Sequence, residues 1–100
     1  MNGENHDLRI LAPAKKYLAA LPSREHAAAL DEITALHAGD IPVRTKQLRG
    51  PIRELIVGYH RFTYFKIASA LYFVRGFRKK SRKTPRSEIE YAEKIYTLLK

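Results

Sequence analysis

The chain of 100 residues contains no cysteine, no tryptophan and a single methionine. Without cysteine there is no disulfide, no thiolate nucleophile and no Cys-type zinc site, and a cytosolic setting is expected. Long hydrophobic runs are missing too. Leu8–Ala14, the best candidate for a signal-peptide core, is interrupted by Arg9 and Pro13, so a soluble cytoplasmic protein with no membrane partner is expected. Glycine and proline number five each while 45% of residues are apolar, which excludes a disordered basic tail and predicts a folded globule. A chain this short is expected to make one domain over residues 1–100, with residues 1–7 expected to be flexible. No G-x-G-x-x-G, phosphate-loop or His-Glu-x-x-His pattern occurs, so nothing supports nucleotide hydrolysis or zinc catalysis, and no cofactor or metal is expected.

Acidic residues are also scarce. Ten carboxylates face 19 Lys and Arg, giving a formal charge of +9, and this basicity implies an anionic partner: nucleic acid first, an acidic protein second, a membrane surface third. The excess is concentrated in the second half. Residues 1–50 carry seven basic and six acidic side chains, whereas residues 51–100 carry twelve and four. Seven of the twelve fall in Arg75–Arg86 with no acid among them. Such a run is a solvated loop in many proteins, but beside an apolar strand its self-repulsion destabilises the fold unless an anion neutralises it.

The patterning predicts an α+β domain ordered β-α-α-β-β-β-α: a small, mainly antiparallel sheet, an N-terminal helical hairpin and a C-terminal helix. A short strand is expected at Leu8–Leu11. Pro13 suits a first helical turn leading into Ala14–Leu21, and Ser23 reads as the cap of a helix over Arg24–Ala38, with an apolar rhythm of Ala27, Leu30, Ile33 or Thr34, and Leu36–His37, and Gly39 as its stop. Asp40–Pro51 reads as a linker because it holds Pro42, Gly50 and Pro51. Arg53–Val57, Arg61–Ile67 and Ala70–Phe77 alternate as strands of a meander. Thr84 reads as a cap, and Pro85–Leu99 as the last helix.

A two-residue turn at Ala68–Ser69 fixes a hairpin register of Ile67 with Ala70, Phe65 with Tyr72, Thr63 with Val74 and Arg61 with Gly76. One face then carries Phe62, Tyr64, Leu71 and Phe73, joined by Leu55 and Val57, and is the expected core. The other carries Arg61, Thr63, Phe65, Tyr72, Val74 and Arg78, with Glu54 and Ile56 from the neighbouring strand. That mixture of charge and aromatic surface is what a nucleic-acid platform needs.

Several strings in Leu48–Ala92 carry a resemblance: Leu48-Arg49-Gly50, Arg53-Glu54-Leu55, Tyr59-His60-Arg61-Phe62, and above all Gly76-Phe77-Arg78-Lys79-Lys80-Ser81 with Lys83-Thr84-Pro85. Together they resemble the phage-derived HigB branch of the RelE/ParE toxin superfamily, the toxic halves of bacterial type II toxin–antitoxin pairs. The resemblance implies a RelE-like fold and a metal-independent endoribonuclease that cuts messenger RNA on the ribosome and arrests translation. It also implies a cognate antitoxin, a HigA-like helix-turn-helix protein, with DNA reached only through the antitoxin complex. A ParE-like toxin that inhibits DNA gyrase is the alternative, and a basic adaptor without toxicity is a third reading. The branch often carries a basic residue after Glu-Leu, where this chain has Ile56.

Metal-free RNA cleavage uses the substrate's own 2′-hydroxyl, so the protein must take one proton, supply another and stabilise charge on the phosphorane. Arg61 and Arg78 are the expected phosphate clamp, since a guanidinium offers fixed, always-charged donors; a surface salt bridge with Glu54 is the plainer role. Lys79 and Lys80 are expected to bind flanking phosphate, or one of them, Lys79 being placed with the catalytic set, to act as the acid; Glu54 is the candidate base, although it also serves simply to offset local charge. Lys80, Arg82, Lys83 and Arg75 are expected to bind RNA, and Tyr72 to stack a base, with Phe65 beside it. His60 should point away from Arg61. His6, His26 and His37 lack metal-ligand spacing.

Overall fold

The structure, a computed structural model, describes residues 7–39 and 43–100. Residues 1–6 of the segment expected to be flexible, His6 among them, and the Asp40–Pro42 part of the expected linker lie outside the described residues, while Asp7 belongs to the first strand and corrects that expectation. The elements run β1 (Asp7–Ile10), α1 (Ala12–Ala19), α2 (Ser23–Ala38), β2 (Thr45–Arg49), β3 (Ile52–Val57), β4 (His60–Ile67), β5 (Ala70–Arg78) and α3 (Arg86–Leu99). The α+β class and the mainly antiparallel sheet are as expected. The order gains one strand, because β2 occupies the segment read as a linker, and Gly50-Pro51 is the turn of a β2–β3 hairpin.

The sheet order is β1-β5-β4-β3-β2, with β1 parallel to β5 and the other pairs antiparallel. Two cores form on its two faces. On one, Ala14, Leu18, Ala29 and Ile33 of the helical hairpin pack on Leu55, Phe62, Tyr64 and Phe73. On the other, Ala92 and Ile95 of α3 pack on Ile52, Phe65 and Val74. Ala27 is exposed and Ala29 takes the inward place expected of it. Bidentate hydrogen bonds from Arg49 to Glu93, at 2.9 and 2.8 Å, tether α3 to β2. Among the described residues no helix is long and apolar enough to cross a membrane.

The caps differ from expectation in the same way at both later helices. Pro22 and Pro85 occupy the capping positions, and neither α2 nor α3 has a side-chain cap. Ser23 is therefore the first residue of α2, and the Thr84 hydroxyl is free for another partner. Gly39 closes α2 in the left-handed conformation, φ 70°, where glycine carries no steric cost.

The hairpin register corrects the most consequential expectation. Ile67 pairs with Ala70 and Phe65 with Tyr72 as read, but Tyr64 pairs with Phe73 and Thr63 with Arg75. Val74 is thus an extra residue in β5, a bulge that shifts everything beyond it by one position. Arg61 consequently pairs with Phe77, and Arg78 with His60. Since side chains alternate across a strand, Arg78 lies on the face of His60, opposite Arg61.

Candidate functional site

The pleat of β3 and β4 brings Glu54, Ile56 and Arg61 to one face near the end of the sheet that α3 leaves uncovered. Ile56, Arg61 and Phe77 form a cross-strand row, and with Glu54 they floor a cleft of about 120 Å³. One wall is the segment between β5 and α3, which contributes Lys79, Lys80, Arg82 and Lys83. The opposite wall is β2 with the residue before it, which contribute Lys46 and Arg44.

Arg61 is held from below. It is 8% exposed, and its Nη1 donates to the carbonyls of Gly58 at 2.7 Å and His60 at 3.0 Å. Its Nε lies 3.8 Å from Glu54 Oε2. A guanidinium has five N–H donors, and the two on Nη2 have no partner among the described residues. Glu54, 3% exposed, accepts a 2.5 Å hydrogen bond from the Thr84 hydroxyl on Oε1. One carboxylate therefore ties the strand arginine to the end of the basic segment.

That segment is pinned at several points. The Lys79 backbone N–H donates to Tyr59 O at 2.7 Å, and the Ser81 hydroxyl to Lys83 O at 2.9 Å. Its cations are free: Lys79, Lys80, Arg82 and Lys83 are exposed and have no side-chain hydrogen bond or ion pair among the described residues. The cleft thus gathers seven cations around a single carboxylate. Chemically it can hold a phosphate on Nη2 and screen its neighbours with lysine and arginine.

Of the expected catalytic residues the structure brings together Arg61, Lys79 and Glu54, and of the expected RNA-binding residues Lys80, Arg82 and Lys83. Arg78, Arg75 and Tyr72 lie elsewhere. Arg78 sits on the opposite face with its guanidinium 5.5 Å from the centre of the Tyr59 ring. The bulge turns Arg75 toward α3, where it pairs with Glu88 at 2.9 Å and lies 3.9 Å over Tyr91. Tyr72 stacks on Phe65 in the core beneath α3, so the aromatic part of the expected platform is packing surface.

Arg44 and Lys46 were legible only as an alternation, Arg44-Thr45-Lys46-Gln47, ahead of a Gly-Pro turn; the prolines flanking it favoured a linker. A second polar group had no local signal at all. On the opposite face His60, 6% exposed, contacts Tyr17 Oη through Nδ1 and Glu25 Oε1 through Nε2, both at 2.6 Å. The acceptor-only carboxylate selects the tautomer with its proton on Nε2, so Tyr17 donates to Nδ1. Burial pushes the Tyr17 hydroxyl above its ordinary value, with Arg78 opposing and Glu25 reinforcing the shift.

A family model described as phage-derived protein, Gp49-like, matches residues 16–97. No curated protein matches the chain in sequence. Among solved structures, the fold is similar to that in an archaeal RelE–RelB complex from Pyrococcus horikoshii: 16% identity, 79% of this chain and 99% of the other, TM-score 0.66. A toxin–antitoxin complex from Mycobacterium tuberculosis gives 21% identity, 75% and 99% coverage and a TM-score of 0.62. The isolated RelE toxin of E. coli gives 13%, 94% and 99%, and 0.60. At these identities what is shared is the fold.

Proposed function

The chain belongs to the Gp49-like family of phage-derived proteins, and from that premise we propose that it is the toxin of a type II toxin–antitoxin pair whose cleft cuts messenger RNA on the ribosome without a metal ion. The observation that carries this reading is Arg61: a guanidinium fixed at the floor of a cationic cleft with Nη2 unpaired. The RelE fold, found in solved complexes of toxin with antitoxin, supports the same reading.

The reaction is an internal transfer. The 2′-oxygen of one nucleotide attacks the adjacent phosphorus, the bond to the 5′-oxygen breaks, and a 2′,3′-cyclic phosphate is left. Glu54, the one carboxylate lining the cleft, takes the proton of the 2′-hydroxyl. Arg61 Nη2 holds the phosphoryl oxygens as charge builds on them. Lys79 returns a proton to the 5′-oxygen, and Lys80, Arg82 and Lys83 bind the flanking backbone. Arg78, on the far face, has no part in the step. A cognate antitoxin blocks the site most simply by placing carboxylates against Arg61 and the lysine segment.

Primer extension on messages from cells expressing the protein tests this. New 5′ ends inside translated messages are expected, and they should vanish when translation is blocked before expression. Intact messages accompanied by DNA breaks would replace the nuclease with a gyrase inhibitor.

A further inference from the structure

The basic segment accounts for only one side of the cleft. Across the floor stand Lys46 of β2 and Arg44 just before it, both exposed and without a side-chain hydrogen bond or ion pair among the described residues. Their placement is fixed by the sheet. Ile56 N–H donates to Arg44 O at 2.9 Å, and Lys46 pairs with Glu54, so the row Ile56–Arg61–Phe77 continues at Arg44, just before β2. Neighbouring strands are about 4.8 Å apart. Two such steps separate the backbones of Arg44 and Arg61, a distance of roughly 10 Å.

Between the two cationic walls the floor is apolar on either side of Arg61, formed by Ile56 and Phe77. Charge, apolar strip, charge is the profile of a track that holds a polyanion's backbone at the edges and its sugars over the middle. Arg44 lines a neighbouring groove with Asp31 and Glu32, and Lys46 faces Glu54 across the strands, but neither cation is in an ion pair among the described residues, so both can turn to a second phosphate. The cleft is too small for a double helix.

Resting on the nuclease reading, we propose that β2 is a second phosphate-binding wall: Arg44 and Lys46 hold the backbone of a single-stranded RNA on the side of Arg61 opposite the Lys79–Lys83 segment. The substrate is then an extended single strand whose phosphates reach both walls, and a dinucleotide reaches only the floor.

The test measures binding of a single-stranded hexanucleotide, with 2′-deoxy substitution to prevent cleavage, as a function of salt. Each phosphate neutralised on a single strand contributes about 0.7 to the slope of log affinity against log salt. For Arg44→Ala/Lys46→Ala the slope should fall by about 1.4, while affinity for a dinucleotide stays as in wild type. Lys15→Ala/Lys16→Ala on α1 removes the same charge from exposed positions remote from the cleft and should leave the slope unchanged. The wall is overturned by an unchanged slope in the β2 variant, by an equal fall in the α1 control, or by no hexanucleotide binding in wild type. Each of these leaves the nuclease reading to the primer-extension result, which is independent of it.

Discussion

His60 and Arg61 are neighbours on β4, equally buried at 6% and 8% exposure, yet they face opposite sides of the sheet and meet opposite conditions. His60 has both ring nitrogens engaged, by Tyr17 and by Glu25, under the helical hairpin. Arg61 lines the cleft with Nη1 tied to backbone carbonyls and Nη2 without a partner among the described residues. Burial therefore does not distinguish a polar group completed within the fold from one left able to take a ligand. Unfilled donors and unbalanced charge do. His60 is next to a carboxylate that completes it, whereas Arg61 shares one carboxylate with six other cations.

The comparison is tested hardest at Arg61. Arg61→Ala should lower RNA cleavage by about 100-fold or more, the usual cost of losing a fixed donor to transition-state charge, while the protein stays folded by thermal unfolding. Arg61→Lys keeps the charge but loses the fork, and should restore only part of the activity. Full toxicity in Arg61→Ala would end the assignment of this face as the working one.

On the other face the effect should move from activity to stability. His60→Ala strands the Tyr17 hydroxyl and should cost about 1–3 kcal/mol, read as a lower denaturant midpoint with cleavage per folded molecule unchanged. Gly76→Ala acts nearby. A Cβ there would lie 2.5 Å from Tyr17 Cδ2 and 2.8 Å from Phe62 Cε1, so overpacking of about 1–3 kcal/mol is expected. Glycine at this position lets α1 lie directly on β5. A loss of activity larger than the loss of folded protein would show that the two faces are not independent.

The sequence made the helices, the meander and the inward face of β4 legible, because apolar periodicity reports directly on burial. The bulge was not legible: Val74 and Arg75 are both ordinary strand residues, and only the packing of Val74 beside Ala92 with Arg75 paired to Glu88 fixes both toward α3. The two-residue turn set the register correctly up to Tyr64–Phe73 and wrongly beyond it. That Arg61, Glu54 and the lysine segment share a cleft was legible from charge and from the pleat. Arg44 and Lys46 were missed because prolines and a glycine around a five-residue strand outweighed its alternation. The Glu25–His60–Tyr17 chain joins residues 35 and 43 positions apart and leaves no local pattern.

A smaller effect is expected from Tyr17. Burial raises its folded-state pKa above the ordinary value of 10.0, so the folded protein holds this proton more tightly than the unfolded chain. That contribution is complete below pH 10 and is lost as pH rises through the folded value. Denaturant midpoints of wild type should therefore fall above pH 10. Tyr17→Phe should be less stable at neutral pH, by about 1 kcal/mol for the lost hydrogen bond, and should lose part of the alkaline decline. An unchanged decline would place its origin elsewhere.

The smallest expected effect bears most directly on the division between the faces. Arg78 belongs to the same basic run as Lys79 and Lys80, and a regular hairpin would put it beside Arg61. The bulge at Val74 places it with His60, against Tyr59. Arg78→Ala should therefore leave cleavage within about threefold of wild type and cost no more than an exposed cation–π contact, about 0.5–1 kcal/mol. Deleting Val74 would remove the extra residue while keeping the pairs Thr63–Arg75 and His60–Arg78, so Arg78 should stay on the His60 face; the cost is the loss of the buried Val74 side chain beside Ala92, which should exceed that of the arginine substitution. If Arg78→Ala instead matched Arg61→Ala in lost activity, phosphate would have to be held from both faces of β4 and the split drawn by the bulge would not describe the working site.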